Sequence, residues 1–152
     1  MAWTKGRGML GPLKPLLGDW VTARGEGDSP AATMWCSRSF TLLGSGWIEL
    51  DARWQTGPSK EYRERAIFGA GDDSTLGCFS FTSDGKRSIG RLVDGSDVHE
   101  RAVAFEAQMP AGLARMVYWP LETDAPGFRF AVESRTKKGW NRFLLQRFIP
   151  AG

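Results

Sequence analysis

Histidine occurs once in this chain of 152 residues, and cysteine and tyrosine twice each. That scarcity narrows the chemistry at once. Cys36 and Cys78 stand far apart, with no Cys-x-x-Cys spacing and no histidine near either, so they build neither a zinc site nor a redox dithiol. Free, buried thiols are the expectation. The lone His99 sits in the polar stretch Asp94-Gly95-Ser96-Asp97-Val98-His99-Glu100, where a solvated ring is expected rather than a ligand. No stretch approaches the roughly 20 consecutive apolar residues that cross a bilayer, and the first eight residues lack the apolar core of a signal peptide. No membrane span and a soluble, cytoplasmic setting are therefore expected. The 20 Lys and Arg are interspersed with 17 Asp and Glu, for a net charge of +3, without a basic block; nucleic acid is not an expected partner. A Gly-x-Ser-x-Gly elbow, a phosphate-cradling glycine motif and metal-ligand spacing are all missing, so no catalytic residue and no metal ligand is assigned.

What the chain has is aromatic surface and punctuation. Seven Trp and nine Phe, within 41% apolar residues, exceed what a minimal core needs. The length fits one domain, residues 1–152, with 1–9 read as an N-terminal tail. Nineteen Gly and eight Pro break the sequence into short segments that alternate with period two, the signature of an all-β chain. About ten strands are read, at 19–26, 34–42, 46–56, 60–70, 75–82, 86–93, 101–108, 113–119, 127–135 and 139–149. Their turns carry Gly or Pro where the backbone reverses, as at Gly27-Asp28-Ser29-Pro30, Gly44-Ser45-Gly46, Gly57-Pro58-Ser59 and Ser83-Asp84-Gly85. One helical turn is expected within 10–18, from the spacing of Leu13, Leu16 and Leu17. Sequential hairpins predict an antiparallel up-and-down barrel, with a two-sheet sandwich as the alternative.

Leu16-Leu17-Gly18-Asp19-Trp20, followed by Arg24-Gly25-Glu26-Gly27, resembles the Gly-x-Trp opening of calycin barrels: lipocalins, fatty-acid-binding proteins and, most closely, the nitrobindin-like family and related uncharacterised lipocalin-like domains. Phe40–Gly46, Tyr62–Gly69 and Phe81–Gly85 are similar to successive strands of those domains. The resemblance implies a barrel floor closed by Trp20 and covered by an Arg from the last strand, Arg147 being first choice and Arg142 second. Nitrobindin-like barrels hold haem through a His on the final strand. The corresponding Trp140-Asn141-Arg142-Phe143-Leu144 has none, so haem is not expected as a cofactor.

A period of two puts Tyr62, Glu64, Ala66 and Phe68 on one face of the fourth strand, read as the inner one. An inward Glu64 needs a partner, for which Arg24, Arg53, Arg115 and Tyr62 are candidates; an outward Glu64 pairing with surface Arg is the alternative. Phe79 and Phe81, with Phe128, Phe130 and Val132, are placed inward as an apolar wall, and Arg115, Tyr118 and Trp119 as candidates for a polar head group. The ligand-binding set is thus Tyr62, Glu64, Phe79, Phe81, Arg115, Tyr118, Phe128 and Phe130. The expected function is binding of a small hydrophobic or amphipathic molecule inside the barrel. Two alternatives stay open: an enzyme, either an isomerase or hydrolase using Tyr62 and Glu64 for proton transfer or a haem protein with unusual ligation, and a homodimeric or partner-binding module using surface Trp47, Trp54 or Trp140.

Overall fold

The computed structural model describes residues 3–23 and 35–152. A short 3-10 turn, Gly11–Leu16, precedes ten antiparallel strands: β1 (Gly18–Ala23), β2 (Cys36–Leu43), β3 (Trp47–Gly57), β4 (Lys60–Ala70), β5 (Leu76–Thr82), β6 (Arg87–Val93), β7 (Val103–Met109), β8 (Gly112–Pro120), β9 (Phe128–Thr136) and β10 (Gly139–Pro150). Each strand pairs with its neighbour in sequence, and β1 pairs with β10, so the sheet closes as a barrel rather than splitting into a sandwich. Closure leaves no unpaired edge among these ten strands. The expected end of the first strand beyond Ala23 and the turn at Gly27-Asp28-Ser29-Pro30 lie outside the described residues. The seventh strand begins two residues later than expected because Ala102 still belongs to a turn, its N–H donating to the His99 carbonyl at 3.0 Å.

The two ends of the barrel differ. At one end Leu13 and Leu16 of the 3-10 turn plug the opening, fully buried against Phe40, Phe68, Phe105, Phe128 and Phe148. Phe128 and Phe148 stack with centroids 5.0 Å apart, and Phe68 meets Phe105 edge-on at 5.0 Å. Each buried ring contributes roughly 1.5–3 kcal/mol, which makes this end the stable half of the molecule. The N-terminal segment is docked there rather than trailing: the Trp3 indole N–H donates to the Arg101 carbonyl at 3.1 Å.

Trp20 lies inside this closed end, but Arg147 does not cover it. Register pairs Trp20 with Pro150 and Thr22 with Phe148, so the inner face of β10 carries Phe148 and Gln146, and the period of two sends Arg147 outward, opposite Ala23 and Arg129. The indole is held instead by the turn before it, donating to the Leu16 carbonyl at 2.7 Å, and by the edge of Phe128 at 5.1 Å. Arg142 is also turned outward, donating to Glu133 at 2.9 Å and lying over the Trp119 ring.

Candidate functional site

The other end of the barrel is hollow. Between the β3–β4, β5–β6, β7–β8 and β9–β10 turns lies a cavity of about 650 Å³ that opens to solvent, lined largely by apolar groups. Its existence follows from residue size. Register places Cys78, Gly90, Ala107, Ala114 and Ser134 side by side on five consecutive strands, β5 to β9, and all five line the cavity. One turn of the pleat nearer the mouth, Ser80 pairs with Ser88, again both on the wall. These side chains are too short to meet across a ten-stranded barrel, where wider rings leave room for a ligand. Trp54, Tyr62, Phe105, Met116, Val132 and Leu144 complete the wall. Phe143, the extra residue of a bulge in β10, stands half exposed at the rim.

Tyr62 and Glu64 face inward as the period of β4 predicts. Phe79 and Phe81 do not. Phe68 pairs with Cys78 and Ala66 with Ser80, so the inner face of β5 is its small-residue face, and Phe79 and Phe81 point to the outside, where Phe79 packs edge-on against Trp47 at 6.5 Å. Alternation alone does not say which face of a strand is inside, and the larger residues here are the outer ones. Phe128, Phe130 and Tyr118 are inward, as expected, but they belong to the packed end and not to the cavity wall.

Arg115 borders the cavity, but its guanidinium is turned away from it. Ala114 and Met116 face in, so Arg115 faces out, where its guanidinium is sandwiched between two carboxylates: Nη2 and Nη1 reach Asp97 at 2.7 and 3.1 Å, and Nε reaches Glu133 at 2.7 Å. The Trp140 ring covers it, 4.3 Å from its centroid. This cluster fastens the 94–102 loop to the barrel wall, and Arg115 holds the Asp97 carboxyl below its usual range by hydrogen bonding. Trp119 contributes its ring to Arg142 on the same outer face. The three Trp of the dimer alternative do not group: Trp47 is outside and exposed, Trp54 is inside, and Trp140 is covered by Arg115 and Arg135.

The polar partner of Glu64 is Arg38, which the reading of the sequence missed. Arg38 alternates with Cys36 and Phe40 against Ser37, Ser39 and Thr41, a small polar set that belongs outside, and this pattern was the available signal. Its side chain is completely buried. Nη2 donates to the Tyr118 hydroxyl at 2.7 Å and lies 3.9 Å from Glu64 Oε1. The guanidinium sits over Phe130 at 4.2 Å, with Trp54, Tyr118 and Phe148 within 6 Å, a cage of π-faces around a desolvated cation. Glu64 in turn accepts from the Ser80 hydroxyl through Oε2. Arg53, another candidate partner, is outside on Asp51; Arg24 lies outside the described residues.

Chemically the site is an apolar chamber with one carboxylate at its inner end. Burial pushes the Cys78 thiol far up and the Cys36 thiol to about 11, so both sulfurs stay protonated near neutrality and are poor nucleophiles. His99 is not in the wall; its Nδ1 accepts the Arg101 N–H at 3.0 Å in the β6–β7 loop. Among the described residues no three His, Cys, Asp or Glu are grouped to hold a metal ion, and no helix is long and apolar enough to cross a membrane. The sequence matches no known protein family and no curated protein. The closed barrel is consistent with a calycin-like fold, while the finer resemblance to nitrobindin-like domains is not supported by a family match.

Proposed function

We propose that this barrel binds a small, mainly apolar molecule in the half that its own side chains leave open. The row Cys78, Gly90, Ala107, Ala114 and Ser134 carries this reading. A barrel selected only for stability would place Phe79 and Phe81 inside, since unfilled core space forfeits about 20–30 cal/mol per Å³. Here those rings lie on the outer wall, Phe79 against Trp47 and Phe81 exposed, and the chamber is kept clear. Its volume of about 650 Å³ lies in the range of drug-sized ligand pockets, and its surface is mostly apolar, with hydroxyl and charged groups interspersed and gathered toward the mouth, the composition such pockets share. Binding of this kind needs no catalytic group.

Haem held as in nitrobindin-like barrels is not part of the proposal, because the residues do not fit it: the cavity wall has no His, and His99 sits in the loop at the closed end. A hemin titration giving a specific one-to-one Soret shift would overturn this exclusion. Native mass spectrometry of gently purified protein, alone and after exposure to neutral apolar compounds, tests the main reading. One-to-one adducts are expected, and their absence across such a panel would refute it.

A further inference from the structure

We infer that the ligand's polar end is a hydrogen-bond donor, a hydroxyl or an ammonium, and not a carboxylate; this rests on the binding reading above. Glu64 decides it. The residue is 8% exposed and lines the inner end of the cavity. Its Oε2 is taken by the Ser80 hydroxyl. Its Oε1 accepts from none of the described groups: Arg38 Nη2 is 3.9 Å away, too far for a hydrogen bond, and points its hydrogen bond at Tyr118. That leaves an acceptor with spare capacity, nine-tenths buried and facing the chamber, which only a donor can satisfy.

The buried guanidinium suggests the opposite polarity and must be weighed. Among the described residues Arg38 Nε and Nη1 have no hydrogen-bond partner. They are sealed, however: Arg38 has no accessible surface and is absent from the cavity wall, shut behind Trp54, Glu64 and Phe130. Lys86, Arg87 and Arg135 border the chamber beside Asp84 at its open end, but a head group carried to the inner end meets the Glu64 carboxylate before Arg38, and like charges at close range in a low-dielectric site repel by several-fold more than in water. A donor meets an acceptor, and an ammonium also meets the Trp54 and Tyr62 rings, whose centroids are 5.7 Å apart on the same wall.

The experiment compares n-decanol, n-decylamine and n-decanoic acid, matched in tail, by calorimetric titration near neutral pH against wild type and Glu64→Gln. Wild type is expected to bind the alcohol and the amine at least roughly tenfold more tightly than the acid, from the penalty on like charge and the reward for pairing a buried acceptor. Glu64→Gln keeps the shape and the Ser80 contact but removes the charge, so the acid should gain and the amine lose, narrowing the gap. Decanoate binding as tightly as the others, or a gap that does not narrow in Glu64→Gln, overturns the inference while leaving cavity binding intact. Failure of all three to bind counts against the binding reading itself, and with it against this one. An unfolding midpoint for Glu64→Gln confirms that the variant tested is folded; if it is not, Ser80→Ala, which frees Oε2 as a second acceptor, should widen the preference for donors, and a narrower one overturns the inference.

Discussion

Arg38 on β2 donates to the hydroxyl of Tyr118 on β8, 2.7 Å away and 80 residues along the chain, at the level where the packed half of the barrel meets the hollow half. The pair is a buried strut between two walls. Tyr118→Phe leaves an N–H of a buried cation without its acceptor and is expected to lower stability by about 1–3 kcal/mol. Arg38→Ala leaves both Tyr118 and Glu64 stranded and should cost about 3–5 kcal/mol. Urea unfolding of the two single variants and the double variant checks this, with a double-variant loss smaller than the sum of the singles.

A second prediction concerns the outer wall. Trp47 lies flat over Gly69, and a Cβ at that position would fall 2.1 Å from the indole carbon Cε3. Gly69→Ala must therefore expel the ring from its seat beside Phe79, at about 1–3 kcal/mol, the usual range for overpacking. Thermal unfolding followed by tryptophan fluorescence reads both the loss and the changed environment of Trp47.

The two thiols give a pH prediction. Burial first, and for Cys78 the nearby Glu64 second, raise both above the ordinary value of 9.0, Cys36 to about 11. The fold thus favours the neutral thiols. The contribution of Cys36 is complete below pH 9.0 and is lost as pH rises through about 11, because the unfolded chain ionises it first, and that of Cys78, which is raised further, is lost over a window that extends higher. At pH 8 the native protein should react slowly with a disulfide reagent, and two thiols should appear promptly on denaturation. Fast labelling of a native thiol would contradict this.

Asp97 ties the 94–102 loop to Arg115 through two hydrogen bonds. Asp97→Asn keeps the shape and removes the charge. Since Arg115 holds the Asp97 carboxyl below its ordinary range, this tie is intact above that range and is lost as pH falls below it. Asp97 is more than half exposed, so the effect on global stability is small and the loop is the place to look. Hydrogen exchange of amides 95–102 should accelerate in the variant and in wild type at acid pH, with the strands unchanged.

Much of this architecture is legible in the sequence, and the illegible parts share one cause. Turn chemistry such as Ser83-Asp84-Gly85 locates all ten strands to within a few residues, because glycine and proline act locally. The face each strand turns inward is a property of the closed sheet. On β4 the choice was decided by Ala66 and Phe68 opposite Arg63 and Arg65. On β5 size misleads, since Phe79 and Phe81 stay outside and the small Cys78 and Ser80 face in. On β8 Arg115 draws attention by its charge, yet it is fixed by Asp97 from a loop and by Glu133 from the next strand, neither of which spacing reveals. Arg38 hides because a buried arginine contradicts the ordinary expectation for its residue type, and only its aromatic cage and Tyr118 explain it.

On the binding function proposed above, the small-residue row holds a chamber open for a ligand. Fluorescence titration of N-phenylnaphthylamine, a neutral probe that brightens in apolar surroundings, against wild type and Ala107→Phe tests it most directly, since Ala107 stands mid-row and a phenyl ring there fills the space. Saturable one-to-one binding to wild type is expected, lost in Ala107→Phe with the unfolding midpoint kept or raised. Equal binding by both proteins, or no saturable binding to wild type, would contradict it.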